Sequence, residues 1–171
     1  MDAVFVQSQM QEIVTAFDPT SDLTTNQYNA MLAGIVYGVI EGEGLTEFEA
    51  CIKDAKTEAS SSYHAFEDLM AKNWTTGFQE LSEIVKALPG LMTDCTGIQE
   101  DIATLESWAT VFLTPAALPS LIKSNVTHNI IKLTRDLKGA KKDYKNEEYF
   151  TFGTDLGEML VIATQPSSTF W

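Results

Sequence analysis

The sequence predicts an all-α fold, a single-domain bundle of about seven helices. Apolar residues recur at three- and four-residue spacing along nearly the whole chain, and the alternating pattern typical of strands is almost absent. Prolines and glycines separate the periodic segments. With 171 residues, 44% of them hydrophobic, the chain is long enough for one sizeable core and short for two. We therefore expect one helical domain over residues 1–164 and a short C-terminal tail over residues 165–171.

The helices can be placed in order along the chain from their apolar stripes and breaking residues. Asp18-Pro19 ends the first helix, Thr24 or Thr25 caps the second, and Pro89-Gly90 ends the fourth, which follows Asn73. Glycines, turn residues and a bend between two prolines separate the other helices. Apart from the fourth helix, the predicted helices span approximately residues 2–17, 25–40, 46–72, 96–113, 119–145 and 147–163.

The helix expected at about residues 25–40 is apolar around most of its circumference. A helix of this kind is usually buried on all sides, so we expect it to be the central helix of the bundle. Gly34 and Gly38 lie one turn apart on it, and Gly153 and Gly157 have the same spacing on the last helix. In a water-exposed bundle this spacing favours close helix packing over dimerisation. We expect the second glycine pair to face the first.

The net charge of −13 is unevenly distributed, since residues 1–120 hold 18 acidic residues and 4 lysines, whereas residues 121–171 hold 6 acidic and 7 basic residues. Such an acidic surface repels phosphate backbones and disfavours nucleic-acid binding. The basic residues Arg135, Lys138, Lys141, Lys142 and Lys145 cluster near a predicted helix end, where cations interact favourably with the helix dipole. An acidic partner docking on this cluster is the alternative. No apolar run approaches the ~20 residues that span a bilayer, so we do not expect a membrane-spanning protein.

Three features bear on the compartment. The first predicted helix contains several polar residues and is not a signal peptide, so the chain is either cytosolic or the mature form of a secreted protein. Cys51 and Cys95 lie at the same end of an expected helical hairpin, which favours a disulfide over two separate buried thiols. The triplets beginning at Asn73 and Asn125 are glycosylation sequons. The cysteines and sequons together favour a secreted, extracellular protein.

Four segments carry a resemblance to a known family. They are a glycine-rich apolar helix at residues 32–38, a cysteine-containing helix at 48–54, the stretch 88–95 that ends in the second cysteine, and residues 152–157. In this order they resemble the two-cysteine, all-helical secreted domains common in ciliates and other protists. The resemblance covers about residues 30–163 and implies secretion and one disulfide, but no catalytic residue. Saposin-like lipid-binding domains are a looser comparison, because they use six cysteines.

The sequence offers no set of residues that indicates catalysis. Its two histidines, His64 and His128, lie on different helices, and neither has the spacing of a zinc site with the cysteines. The acidic run of Glu41, Glu43, Glu47 and Glu49 lacks the loop of an EF-hand and is typical of a solvated face. Nucleotide, nucleophile and di-iron motifs are absent from the sequence. We expect no enzyme activity, no metal and no cofactor.

Two functions remain open. The first is a secreted binding protein that holds an apolar small molecule, such as a lipid or pigment, within its helices. The second is an extracellular structural or interaction subunit. It would self-associate or dock other proteins through the apolar tail residues Phe170 and Trp171 and through complementary charged surfaces. The same tail residues are equally able to pack on their own domain.

Overall fold

A computed structural model describes residues 23–40, 55–91, 99–112 and 118–165. Within these ranges the chain forms seven α-helices, and the described residues contain no strand. This confirms the all-α bundle predicted from the sequence. The helices are α1 (Thr25–Ile40), α2 (Ala55–Met70), α3 (Trp74–Leu91), α4 (Gln99–Phe112), α5 (Leu118–His128), α6 (Ile130–Lys145) and α7 (Tyr149–Thr164). The helix predicted at residues 2–17 and the end of the tail lie outside the described residues.

Helix α1 begins with a reciprocal cap. The backbone N–H of Gln27 donates to Thr24 Oγ1 at 3.2 Å, and the backbone N–H of Thr24 donates to Gln27 Oε1 at 2.8 Å. This capping box satisfies two donors that the first turn of a helix leaves without partners. Of the two threonines that the sequence offers as a cap, the structure selects Thr24.

The core of the described chain is built around the pair formed by α1 and α7. The two helices pack against each other along their lengths. Helix α1 also contacts α2 and α4, and helix α7 also contacts α3, α5 and α6. Both α1 and α7 contribute fully buried side chains, which include Met31, Leu32 and Val36 of α1 and Leu156 and Leu160 of α7. The helix predicted to be central is therefore in the core, and α7 shares that position with it.

Two helix boundaries differ from the prediction. The single helix expected at residues 119–145 is two helices, α5 and α6, separated at Asn129. The Asn129 side chain donates from Nδ2 to the backbone oxygen of Asn125 at 2.8 Å, and such local bonds compete with helix continuation. Pro89 lies inside α3, which continues to Leu91 and does not end at Pro89-Gly90. A proline this close to the helix end removes only one backbone donor.

Two helical hairpins end in the same kind of turn. Lys72 between α2 and α3 has φ 67°, and Glu147 between α6 and α7 has φ 63°. In each turn the following residue closes the helix, with Asn73 N–H bonding the Asp68 oxygen at 2.9 Å and Glu148 N–H bonding the Asp143 oxygen at 2.8 Å. These are Schellman-type ends with left-handed lysine and glutamate in the usual glycine position.

Candidate functional site

A groove of about 610 Å³ lies between the C-terminal halves of α2 and α6, and we call it the aromatic groove. Its walls are apolar, and charged side chains stand at its edges. The lining residues are Tyr63, Phe66, Glu67, Met70, Ala71, Lys141, Tyr144 and Lys145.

Ring contacts hold the walls of the aromatic groove in place. The rings of Tyr63 on α2 and Tyr144 on α6 meet with centroids 4.7 Å apart. Behind them Phe152 of α7 contacts Phe66 at 5.1 Å and Tyr144 at 5.0 Å, both edge to face. Phe152 is fully buried and Phe66 almost so, whereas both tyrosines are half-buried. The groove is therefore formed where the aromatic core reaches the surface.

The rim of the aromatic groove carries two lysines and one glutamate. Lys141 and Lys145 lie one turn apart on α6, and Glu67 lies on α2. The Glu67 carboxylate is 3.2 Å from Nδ1 of His64. Met70 is 37% exposed and supplies a flexible apolar surface between the rings and the rim. This combination suits a molecule with an apolar body, since burial of apolar area drives its binding.

The aromatic residues of this groove have the helical spacing of a buried stripe, so the sequence pattern predicts them to be core residues and does not reveal the groove. Tyr63, Phe66 and Met70 do follow helical spacing, as does Tyr144 on its own helix. Phe66 is buried as that pattern predicts, but Met70 is exposed. The periodicity of one helix cannot show where the neighbouring helix ends, so it does not separate core from groove.

Two pairs of carboxyl groups lie across helix–helix contacts. Asp155 on α7 is hydrogen-bonded to Asp143 on α6, and its pKa is raised to about 8. Burial is the main cause, followed by that hydrogen bond and by the negative charges of Asp143, Glu158 and Asp136. Asp155 therefore keeps its proton to a higher pH than an ordinary aspartate does.

The second pair joins α2 and α3. The pKa of Glu80 is raised to about 7, mainly by burial and then by a hydrogen bond to Asp68 and by the negative charge of Asp68. The charge of His64 lowers this pKa. Glu80 and His64 also line a groove of about 450 Å³ between these helices, beside Glu58 and Glu83. Among the residues described, no group of three or more His, Cys, Asp or Glu side chains is arranged to hold a metal ion. His128, the other histidine, bonds the Ser124 backbone oxygen through Nδ1 at 2.8 Å.

The four glycines singled out in the sequence lie at the crossing of α1 and α7. A Cβ added to Gly34 would lie 2.9 Å from the Thr154 nitrogen, and one added to Gly157 would lie 3.0 Å from the Cα of Gly38. A Cβ at Gly153 would lie 3.0 Å from the nitrogen of Ile35. The two glycine pairs therefore face each other, and the backbones approach too closely for any side chain.

The two sequon asparagines have opposite environments. Asn73 is exposed in the turn between α2 and α3, where a glycan has room. Asn125 is 3% exposed, and its Nδ2 donates to the backbone oxygens of Ala163 at 2.9 Å and Gln165 at 2.8 Å. A glycan would attach to this same nitrogen, so the structure argues against the predicted glycosylation of Asn125. Cys51, Cys95, Phe170 and Trp171 lie outside the described residues.

The predicted basic cluster lies along α6, whose first residues are unusually apolar for a surface. Ile131 is 75% exposed and Ile130 is 40% exposed. Together with Thr134, Arg135 and Lys138 they line a second groove of about 370 Å³, which we call the basic groove.

The described part of the chain is a helical bundle with an apolar groove at its surface, between α2 and α6. Residues 6–164 match the family model of the SctB-like proteins, described as secreted protein B-like. The chain therefore belongs to the SctB-like family. Neither the curated proteins nor the solved structures contain a significant match to it. The family description supports the predicted class of secreted protein, while the protist distribution and the cysteine pair stay predictions. No helix of the described part is long and apolar enough to cross a membrane.

Proposed function

We propose that this member of a secreted family is a non-enzymatic binding protein that holds an apolar small molecule, a lipid or a pigment, in the aromatic groove. The observation that supports the proposal most directly is the row of aromatic side chains between α2 and α6 that borders open space. The rings of Tyr63 and Tyr144 meet there, and Met70 stays exposed.

The size and rigidity of the aromatic groove also support binding. Its volume of about 610 Å³ falls within the range of small-molecule sites. Because Phe152 fixes the rings of Phe66 and Tyr144 from behind, the walls need little ordering when a ligand enters. The proposed ligand lies at the edge of the bundle, since the described centre is filled by fully buried side chains such as Phe78 and Leu81.

Binding of N-phenylnaphthylamine, a neutral fluorescent probe, tests the proposal. Met70→Ser removes apolar surface from the groove wall and is expected to weaken probe binding about tenfold. The matched control is Ile131→Ser, which removes a more exposed apolar side chain outside the aromatic groove and is expected to leave binding unchanged. Equal effects of the two variants, or no probe binding at all, would refute this site.

Native mass spectrometry of the protein from its own source provides an independent test. A small mass that is lost on mild denaturation is the expected result. Protein that carries no such mass, and that also fails to bind the neutral probe, would contradict the proposal.

The second candidate function is that of a self-associating extracellular subunit. The basic groove favours it, because exposed Ile130 and Ile131 lie beside Arg135 and Lys138 on a chain of net charge −13. An acidic face of a second copy would complement this surface, and the predicted docking tail, Phe170 and Trp171, would add apolar contact. Sedimentation velocity at low and high salt tests it. Salt-sensitive oligomers that Ile131→Ser weakens are expected, and a monomer at all concentrations would exclude it.

An extracellular location agrees with both functions. It is supported by the family description, by exposed Asn73 and by the geometry of the hairpin that α2 and α3 form. Cys51 lies four residues before α2 begins, and Cys95 lies four residues after α3 ends. Because the two helices are antiparallel, the chain enters and leaves this hairpin at the same end, as a disulfide requires.

A further inference from the structure

We infer that the molecule bound in the aromatic groove is an amphipathic anion, with its apolar chain between the rings and its negatively charged head at Lys141 and Lys145. This inference rests on the proposed function and adds the class of ligand. It follows from the charges at the rim, which the apolar walls alone do not specify.

The two lysines form an unbalanced pair of positive charges. Lys141 and Lys145 are both exposed, lie one helical turn apart and line the same groove. Like charges at this spacing repel each other. Within the described part of the chain neither ammonium group forms an ion pair. An anion placed between them relieves the repulsion of both.

The side chain of lysine suits such a position at the edge of an apolar site. Its methylene stem lies along apolar surface while the ammonium group stays in water. Lys141 and Lys145 flank Tyr144 in the sequence and line the groove together with it. A carboxylate, sulfate or phosphate head at the mouth then meets both ammonium groups, while the chain behind it contacts the rings.

The competing ligand class is a quaternary ammonium, which aromatic rings attract through their negative faces. Tyr63, Phe66 and Tyr144 would provide such faces. The charges at the rim disfavour a cationic ligand, because two lysines outnumber one glutamate there. The Glu67 carboxylate also already lies 3.2 Å from Nδ1 of His64. The balance of charge at the groove mouth therefore favours an anion.

Three probes with the same alkyl chain separate these classes: decanoate, decanol and decyltrimethylammonium. Each is titrated at neutral pH, below its micelle concentration, against N-phenylnaphthylamine bound to the full chain. Decanoate is expected to displace the dye at about fivefold lower concentration than decanol, as for one screened charge pair, and decyltrimethylammonium is expected to be weakest. Added salt should reduce the difference between decanoate and decanol.

Variants that keep the apolar stem and remove the charge locate the effect. Lys141→Met and Lys145→Met are each expected to weaken decanoate about twofold, an equal share of that fivefold difference, and to leave decanol unchanged. Lys142→Met, an exposed lysine on the same helix that does not line the groove, is the matched control and should change neither. Circular dichroism checks that all three variants remain folded.

The outcomes distinguish the inference from the function on which it rests. Equal displacement by decanoate and decanol would overturn the anionic ligand and leave the apolar site standing. Strongest displacement by decyltrimethylammonium would overturn it in favour of a cation. If no probe displaces the dye, or if the dye does not bind, the proposed function fails together with the inference.

Discussion

Asn125 joins α5 to the last turn of α7 through the two hydrogen bonds that its Nδ2 donates to Ala163 and Gln165. A polar side chain buried at 3% exposure is stable only because both bonds are made. The same nitrogen is the acceptor of N-linked glycans, so the structural role and the modification exclude each other at this residue. A sequon identifies the triplet but not the environment of its asparagine.

Asn125→Ala is expected to lower the free energy of unfolding by about 2 kcal/mol, because the buried Ala163 oxygen and the partly buried Gln165 oxygen lose their donor. Thr127→Ala destroys the same sequon, but Thr127 is exposed and bonds only the Lys123 oxygen, so its cost should be small. Urea unfolding measures the stability of both variants. After expression in a glycosylating host neither variant should lose a glycan mass. A mass lost from Thr127→Ala would show that Asn125 is modified.

The carboxyl group of Asp155 makes stability depend on pH. Its ordinary pKa of 3.8 applies to the unfolded chain, and in the folded chain the pKa is raised to about 8. Between these values the folded state holds more protons than the unfolded state, so the free energy of unfolding falls as pH rises. The stabilisation is complete below about pH 4 and is lost as pH rises through about 8. Glu80, with its pKa raised to about 7, acts in the same direction.

Asp155→Asn removes the charge while keeping a group that can bond Asp143. The variant is expected to have a higher Tm than the unchanged protein in mildly alkaline solution, and a Tm that varies less with pH. Glu100→Gln neutralises an exposed carboxylate and should leave the pH profile of Tm unchanged. A Tm of the unchanged protein that rises steadily from acid to alkaline pH would contradict this assignment.

At the scale of helices, the contact between α1 and α7 depends on backbone approach more than on side-chain fit. Gly34, Gly38, Gly153 and Gly157 remove the side chains that would separate the two helices. Glycine in a helix costs conformational entropy, and here the close packing offsets that cost. The residues on either side of these glycines, such as Ile35 and Leu156, are buried as a result.

Gly34→Ala is expected to lower the free energy of unfolding by about 3 kcal/mol, because the new methyl group would overlap the backbone of Phe150 and Thr154. Gly139→Ala is the matched control on α6. A Cβ at Gly139 meets nothing within 4 Å, so this change should stabilise the protein by about 0.5–1 kcal/mol. Thermal unfolding measures both changes. Similar effects of the two substitutions would contradict the close crossing.

For the whole molecule, the predicted Cys51–Cys95 disulfide would close a loop that contains the α2–α3 hairpin. Such a loop of about 45 residues contributes roughly 4 kcal/mol in the chain-entropy model. Cys51→Ser and Cys95→Ser should therefore destabilise the protein by similar amounts, and the double variant by no more than either. Peptide mass mapping without reductant checks the bond directly. Two separate thiols, each with its own additive cost, would exclude it.

The fold was largely predictable, and the candidate site was not. Helical periodicity gave the class and most of the helices, and it placed α1 in the core. Helical periodicity did not predict the break at Asn129. The break depends on a hydrogen bond from the Asn129 side chain to the Asn125 oxygen, and the spacing of apolar residues carries no information about that bond. It also did not give the aromatic groove, because Tyr63 and Tyr144 belong to helices that are distant in sequence and meet only in the folded chain.

The sequence by itself determined the all-α class, the glycine pairs, the acidic balance and the sequon triplets, since each depends on residue type and on spacing within one helix. The tertiary structure alone decided that Asn125 is buried, that Asp155 lies beside Asp143, and that α2 and α6 leave a groove between their ends. These features arise between helices separated along the chain. Burial and electrostatic coupling depend on the distances between residues of different helices, and the residue pattern within one helix does not contain those distances.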